Sequence, residues 1–309
     1  MKEIKLFSPA TVANVSCGFD VLGFCLDPIG DEMVIRKSKQ LGVRIIKIVG
    51  QELPLETKKN VAGVAAEALL SEIDSEYGFE IEIYKHIKAG SGIGSSAASS
   101  AGAVFGINAL LGFPFTAKEL IRFAMKGEEL ASGAAHADNV SPALLGGFTL
   151  VRCGETPDII QLPCPNNLHA VIIHPEIELK TADARSVLKK TIPLEKAITQ
   201  WGNLAAFISA LYTSDYELIS RSLKDVIIEP NRSALIPYFD NIKEAAINAG
   251  ALGSGISGSG PSIFALTNGE VTAEKTRDEM VKILQSAKIE HSSYVSKINM
   301  QGIQILEQR

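Results

Sequence analysis

KAGSGIGSSAAS, residues 88–99, sets three glycines and a run of small residues between two segments of opposite periodicity. Before it, FEIEIYKHI (79–87) alternates apolar and polar positions and predicts a strand. After it, SSAASSAGAVFGINALLG (95–112) has the spacing and alanine content of a helix, closed by Gly112 ahead of Pro114. A strand that turns through glycines into a helix leaves the first N–H groups of that helix unpaired, at its positive end. Gly92, Ile93, Gly94, Ser95 and Ser96 therefore predict a cradle for a di- or triphosphate, with the hydroxyl of Ser95 or Ser96 in reach of a bound magnesium ion. A tight turn serving only close helix packing uses the same residue types, so the rest of the chain must decide.

Working outward, neither G-x-x-x-x-G-K-[ST], H-R-D, D-F-G nor G-x-S-x-G occurs, which argues against a Walker-type P-loop, a protein kinase and an esterase elbow. A second cluster, GALGSGISGSGPSIF (250–264), contains G-x-G-x-x-G at Gly253, Gly255 and Gly258. A dinucleotide fingerprint needs strand, glycines, then helix, and here the order is reversed. A flexible loop lying near the first glycine turn is the expectation. VRIIKIV (43–49) and EMVIRKS (32–38) predict strands, and NVAGVAAEALLSEI (60–73) and TAKELIRFAMKGEELAS (116–132) predict helices. GGFTLVRC (146–153) and HAVIIHP (169–175) follow as apolar runs, then helical stretches near 182–190, 194–210, 215–224 and 238–249. PSIFALT (261–267), a helix near 272–286 and one strand within HSSYVSKINMQGIQIL (291–306) end the chain. Strands and helices mix without strict alternation, which favours an α+β class.

The 309 residues suggest about two domains, with the boundary near the Pro- and Asn-rich PCPNN (163–167), giving 1–165 and 166–309. With 46% hydrophobic and 21% charged residues and a net charge of -5, the composition is that of a globular protein without the basic excess that nucleic acid or an anionic membrane attracts. The start of the chain has no unbroken apolar signal region, and no run nears the roughly 18 apolar residues of a membrane helix, so a cytoplasmic protein is expected. Cys17, Cys25, Cys153 and Cys164 lack metal-site spacing and predict free thiols, and the five scattered histidines make zinc an unfavoured ligand.

Co-linear motifs extend these readings. SPATVANVSCGFDVLG (8–23), AGSGIGSSAAS (89–99) and GSGISGSGPSIF (253–264) together resemble the GHMP small-molecule kinase superfamily. SGAAHADNVSPALLGGFTLV (132–151), TADARSVL (181–188) and EPNRSALIPYF (229–239) resemble its homoserine kinase branch. The resemblance implies a two-domain GHMP kinase fold, with a ribosomal S5 domain 2-like N-terminal domain and a ferredoxin-like C-terminal domain. It also implies transfer of the γ-phosphoryl group of MgATP to the hydroxyl of L-homoserine, in threonine biosynthesis, by a homodimer. Lys88 departs from the pattern, which has proline there; the change bears on loop rigidity and removes no backbone donor.

The resemblance assigns roles as well. Ala89, Gly90, Ser91, Gly92, Ile93, Gly94, Ser95, Ser96 and Ser99 match the nucleotide loop, and Glu128 with Ser96 matches the magnesium ligands. Asn60 falls near the ribose or adenine, and is equally a good helix N-cap. Arg185 and Arg232 match a pair that takes the substrate carboxylate, for which the guanidinium fork is well shaped. Asp20 matches the ammonium anchor, and Asn14, Thr181 and His136 match neighbouring contacts. Asn139 matches the position beside the reacting hydroxyl; an amide cannot accept the proton, so the expectation is catalysis by positioning and charge stabilisation without a protein base.

Overall fold

The computed structural model describes all residues of the chain except Cys153, Glu155, Thr156, Glu178 and Lys180, and the side chains of Thr181 and Ala182. The free thiol expected at Cys153 thus lies outside the described residues, while Cys17, Cys25 and Cys164 are free.

Among the described residues, eleven strands join into one sheet that runs through both halves of the molecule. Strand β1 (Glu3–Ala13) begins with alternating burial at Ile4 and Leu6 and becomes buried on both faces from Ser8 onward. It pairs antiparallel with β2 (Leu22–Ser38), a strand long enough to serve several neighbours. The parallel pair β3 (Val43–Val49) and β4 (Gly78–Tyr84) joins the far half of β2, with α1 (Val61–Leu70) crossing between them. Then come α2 (Ser95–Leu110), α3 (Ala117–Ser132), α4 (Val140–Leu145) and the hairpin β5 (Phe148–Arg152) and β6 (Asp158–Leu162), which joins the near half of β2.

Helix α2 is buried almost all round, which its small residues permit. A Cβ on Gly102 would lie 2.4 Å from the Met33 sulfur, and one on Gly106 2.3 Å from Ile35, so the helix rides directly on the sheet. Thr116 and Glu119 form a reciprocal capping box at the start of α3, and Gly133, at φ 75°, ends it. These two termini fix where Glu128 faces.

The second half places β7 (Leu168–Pro175) and β9 (Ile263–Asn268) centrally, with β8 (Gly253–Ile256) at the edge. Its helices are α5 (Thr181–Ser186), α6 (Leu194–Thr213), α7 (Tyr216–Ser222), α8 (Glu229–Arg232), α9 (Phe239–Ala249) and α10 (Glu270–Ser286). The terminal segment forms two strands rather than the single one expected: β10 (His291–Ile298) pairs with β7 and touches β2, and β11 (Gln304–Gln308) pairs with β1. The chain therefore ends on the N-terminal side of the sheet. The second glycine cluster also differs from the expected loop, since Gly253–Ile256 are ladder-paired to β9. A Cβ on Gly253 would lie 2.5 Å from Leu223, so only glycine lets the edge strand approach α7 that closely.

An aromatic knot joins the halves. Phe24 stands 4.9 Å from Phe148 and 6.0 Å from Phe264, and Phe148 stands 6.0 Å from Phe207. All four are fully buried, so strands β2, β5 and β9 and helix α6 share one core. No described helix is long and apolar enough to cross a membrane.

Candidate active site

A cleft of about 1050 Å³ opens where the two glycine segments meet. Gly92 carries φ 84°, and a Cβ there would lie 2.6 Å from the Gly260 carbonyl oxygen and 2.7 Å from that of Ser257. The Ser257 hydroxyl donates to the Gly92 carbonyl at 2.7 Å, the Ser262 N–H to Ser91 at 3.2 Å, and the Gly258 N–H to Ala13 at 3.0 Å. The second cluster thus buttresses the first, as its order of elements suggested. A Gly92→Ala variant must both strain its backbone and displace backbone atoms. We expect it to lower stability by roughly 2–4 kcal/mol, checked by chemical denaturation.

Gly94 caps α2 in a left-handed conformation with no side chain covering the helix end, so the first-turn N–H groups of Ser95 and Ser96 are left to the cleft. Thr11 leaves no room for a side chain on Gly94: a Cβ would lie 2.1 Å from its hydroxyl. Ala89, Gly90, Gly92, Gly94, Ser95, Ser96 and Ser99 line the cleft. Ser91 and Ile93 are buried behind it and hold the loop from within. The two serines expected near magnesium part company: Ser95 donates to the Ile87 carbonyl at 2.9 Å, whereas Ser96 donates to Glu128 Oε2 at 3.2 Å. Asn60 stays outside the cleft lining. Its Oδ1 accepts from the Ala62 N–H at 3.0 Å and caps α1, while its Nδ2 donates to the Pro54 carbonyl at 2.8 Å in the preceding loop, so both ends of the amide are engaged within the protein.

Glu128, on α3, is 6% exposed, and its Oε1 is buried without a partner. Burial pushes its carboxyl up to about 7; the Ser96 hydrogen bond opposes this, the nearby Asp138 adds to it, and Lys85 opposes it. Glu129 faces away and pairs with Lys126 at 3.1 Å. Asp138 is also buried and pushed up to about 7, chiefly by desolvation and then by Asp20. The folded protein gives neither carboxyl a full counter-charge, so each keeps its proton to higher pH than an exposed acid does.

At the other end, Arg185 Nη2 donates to Asp20 at 3.1 and 3.3 Å and to His136 Nε2 at 2.8 Å. Because the guanidinium only donates, His136 Nε2 accepts and the ring is neutral, with Nδ1 carrying the proton 3.7 Å from Asp20. Burial keeps the ring's pKa below its ordinary value. Arg232 is 3% exposed and donates to the carbonyls of Ala184 at 2.9 Å and Gly258 at 3.2 Å. Its pKa is lowered by desolvation and then by the Arg185 charge. Both guanidiniums lie over the Phe19 ring, at 5.8 and 4.9 Å. Asn14, at φ 57°, accepts from the Asp20 N–H at 2.7 Å and donates to the Gly258 carbonyl at 2.8 Å, which fixes the Asp20 turn. Thr181 opens α5, four residues before Arg185.

The two ends meet at Asn139. Its Oδ1 accepts from the Thr11 hydroxyl at 2.8 Å beside Gly94, which leaves Nδ2 as the end of the amide not engaged by Thr11, and the residue lines the cleft.

The family profile for the GHMP kinases N terminal domain matches residues 60–147, and the profile for GHMP kinases C terminal matches residues 207–285. The chain is 44% identical to the homoserine kinase of Chlorobium phaeobacteroides (strain BS1), over 99% of this chain and all of that one. The chain belongs to the homoserine kinase family. A homoserine kinase of Xylella fastidiosa (strain M12) is 37% identical over 98% of this chain and 94% of its own. The crystal structure of homoserine kinase from Cytophaga hutchinsonii superposes with a TM-score of 0.96 at 50% identity, covering 99% of this chain and 98% of that one. The crystal structure of L. major mevalonate kinase, at 17% identity and a TM-score of 0.70, shares the fold. As a member of the homoserine kinase family this protein is an ATP-dependent small-molecule kinase with the two-domain GHMP fold.

Within that family frame, several site residues escape sequence reasoning: Asp138, Thr11, Phe19 and the buried Lys85, which also lines the cleft. Thr11 and Phe19 lie inside the SPATVANVSCGFD motif and carry no signal of their own. Asp138 adjoins Asn139, and only its burial separates it from an ordinary surface acid.

Proposed function

We propose that this cleft binds MgATP along the glycine loop and L-homoserine between Asp20, Asp138, Arg185 and Arg232, and transfers the γ-phosphoryl group to the homoserine hydroxyl. The observation that carries the reading is the placement of two unlike binding ends on one cleft: uncapped helix N–H groups with a cation-seeking carboxylate at one end, and two adjacent guanidiniums beside two carboxylates at the other. An amino acid zwitterion matches the second end. Its carboxylate offsets the mutual repulsion of Arg185 and Arg232, and its ammonium group meets Asp138, since Asp20 is already shared with Arg185.

Magnesium fits the first end. Glu128 Oε1 without a partner and the Ser96 hydroxyl form a hard oxygen pair, and the described residues hold no group of three or more His, Cys, Asp or Glu around a metal position. An ion that takes most of its ligands from phosphate and water suits such a sparse set. When bound, it would neutralise charge developing on the transferred group.

Thr11 holds Asn139 Oδ1, so the amide's remaining donor, Nδ2, is the group that would orient the acceptor hydroxyl, and it takes no proton from it. The remaining work is in-line placement, with the proton passing late to phosphate or water. Asn139→Ala is expected to reduce kcat by about tenfold to hundredfold, with little change in the KM of ATP. Asn139→Asp is expected to give no gain; a large increase from it would mean that a protein base is rate-determining.

The reading is tested by coupled ADP release with L-homoserine, L-threonine, L-serine, mevalonate and galactose, with mass spectrometry of the product. Turnover confined to L-homoserine supports it; turnover with another alcohol only overturns the substrate end. A homodimer is part of the same proposal, checked by light scattering on the eluted protein.

A further inference from the structure

Beneath the glycine loop lies an ion pair with nothing to do at the surface: the side chains of Lys85 and Asp31 are 1% and 0% exposed. Asp31 projects from β2 and accepts with Oδ1 from the backbone N–H groups of His86, at 2.7 Å, and Ile87, at 2.9 Å, the residues that lead into the loop. Its Oδ2 accepts from Lys85 Nζ. Lys85, the residue that follows β4, then spans to the loop's far side, where Nζ donates to the Ser95 carbonyl at 2.9 Å and to the Ser99 hydroxyl at 3.1 Å, both in the first turns of α2. An ammonium group has three protons, and here three acceptors take them. Although Lys85 borders the cleft, it has no proton left to offer a ligand.

Those bonds close the loop at both ends. Asp31 grips its entrance, and Lys85 grips its exit. Ser95 donating to the Ile87 carbonyl completes the ring. We propose that the Asp31–Lys85 pair is a buckle that holds the first turn of α2 at the angle needed for its N–H groups to grip the phosphates, making Lys85 a positioning residue for phosphoryl transfer. The inference rests on the kinase reading of the cleft given above.

Charge alone does not explain the pair. A buried ion pair of this kind is often replaced by apolar groups at no loss of stability, so a structural benefit is a weak reason for it. Desolvation lowers the Lys85 pKa, and the charge and hydrogen bond of Asp31 oppose that shift without cancelling it. What the pair adds is geometry at the place where a small rotation of α2 would move the Ser95 and Ser96 backbone donors together.

The test compares the parent with Lys85→Met and with the double variant Asp31→Asn/Lys85→Met, which removes both charges and keeps an acceptor for the His86 and Ile87 N–H groups. Calorimetric titration with ATP, ADP and AMP is read against thermal unfolding. Both variants are expected to bind ATP and ADP at least tenfold more weakly, to bind AMP within twofold of the parent, and to keep the KM for L-homoserine within twofold. The double variant should melt near the parent temperature, which removes misfolding as the cause. Parent-like affinity for ADP in the folded double variant overturns the buckle, and so does equal weakening of ADP and AMP, which would report general softening. Failure of the parent itself to bind ADP or to turn over L-homoserine would instead overturn the kinase reading.

Discussion

Glu128→Gln is expected to lower kcat by about 10²–10³-fold and to raise the thermal stability of the ligand-free protein at the same time. Both effects come from one observation, a carboxylate that is 6% exposed with an oxygen that has no partner. A buried group pushed from 4.5 to about 7 costs the folded state on the order of 3 kcal/mol at alkaline pH. Gln removes the charge while preserving shape and an oxygen that can accept from Ser96. A rise in Tm of about 2–5 °C at pH 8 is expected, with turnover nearly abolished.

The pH dependence has a defined sign. Glu128 and Asp138 both keep their protons in the folded state to about pH 7, whereas the unfolded chain releases them near the ordinary values of 4.5 and 3.8. Between about pH 4 and 7 the folded form binds more protons, so the contribution of these two groups to stability is present at the low end and is lost as pH rises. The parent should therefore lose more Tm between pH 5 and pH 8 than Glu128→Gln does. Parallel melting curves for the two proteins would refute the assignment of Glu128 as an uncompensated buried acid.

Arg232→Met is expected to raise the KM for L-homoserine about 100-fold or more, equivalent to about 3 kcal/mol or more, with a smaller change in kcat. Arg232 is fixed by two backbone carbonyls and the Phe19 face, so it would lose little entropy in meeting the carboxylate of the proposed substrate. Arg185→Met should cost less, about tenfold, because Arg185 is more exposed and already shares Asp20 and His136. The comparison is made by steady-state kinetics at saturating ATP. Equal effects of the two substitutions on the KM of ATP would place the pair on the nucleotide instead.

Legibility followed periodicity and local chemistry. VRIIKIV (43–49) alternates, and β3 occupies those residues; Thr116 with Glu119 and the glycine at 133 mark α3 at both ends. Strand β1 carried a weaker signal, because burial of both faces from Ser8 onward removes the alternation that marks a half-buried strand. The terminal stretch divided into β10 and β11 because two different strands, β7 and β1, supply its partners, and no local pattern encodes that choice.

The glycine loop, the order of elements around it and the co-linear motifs were readable along the chain, because backbone freedom, helix ends and residue types are local properties. That Glu128 has an unpaired oxygen and that Asp31 and Lys85 meet beneath the loop became visible with the tertiary structure. These are consequences of burial and, for the ion pair, of a contact between residues 54 positions apart. Desolvation, which turns an ordinary acid or lysine into a committed one, depends on what the fold places around it.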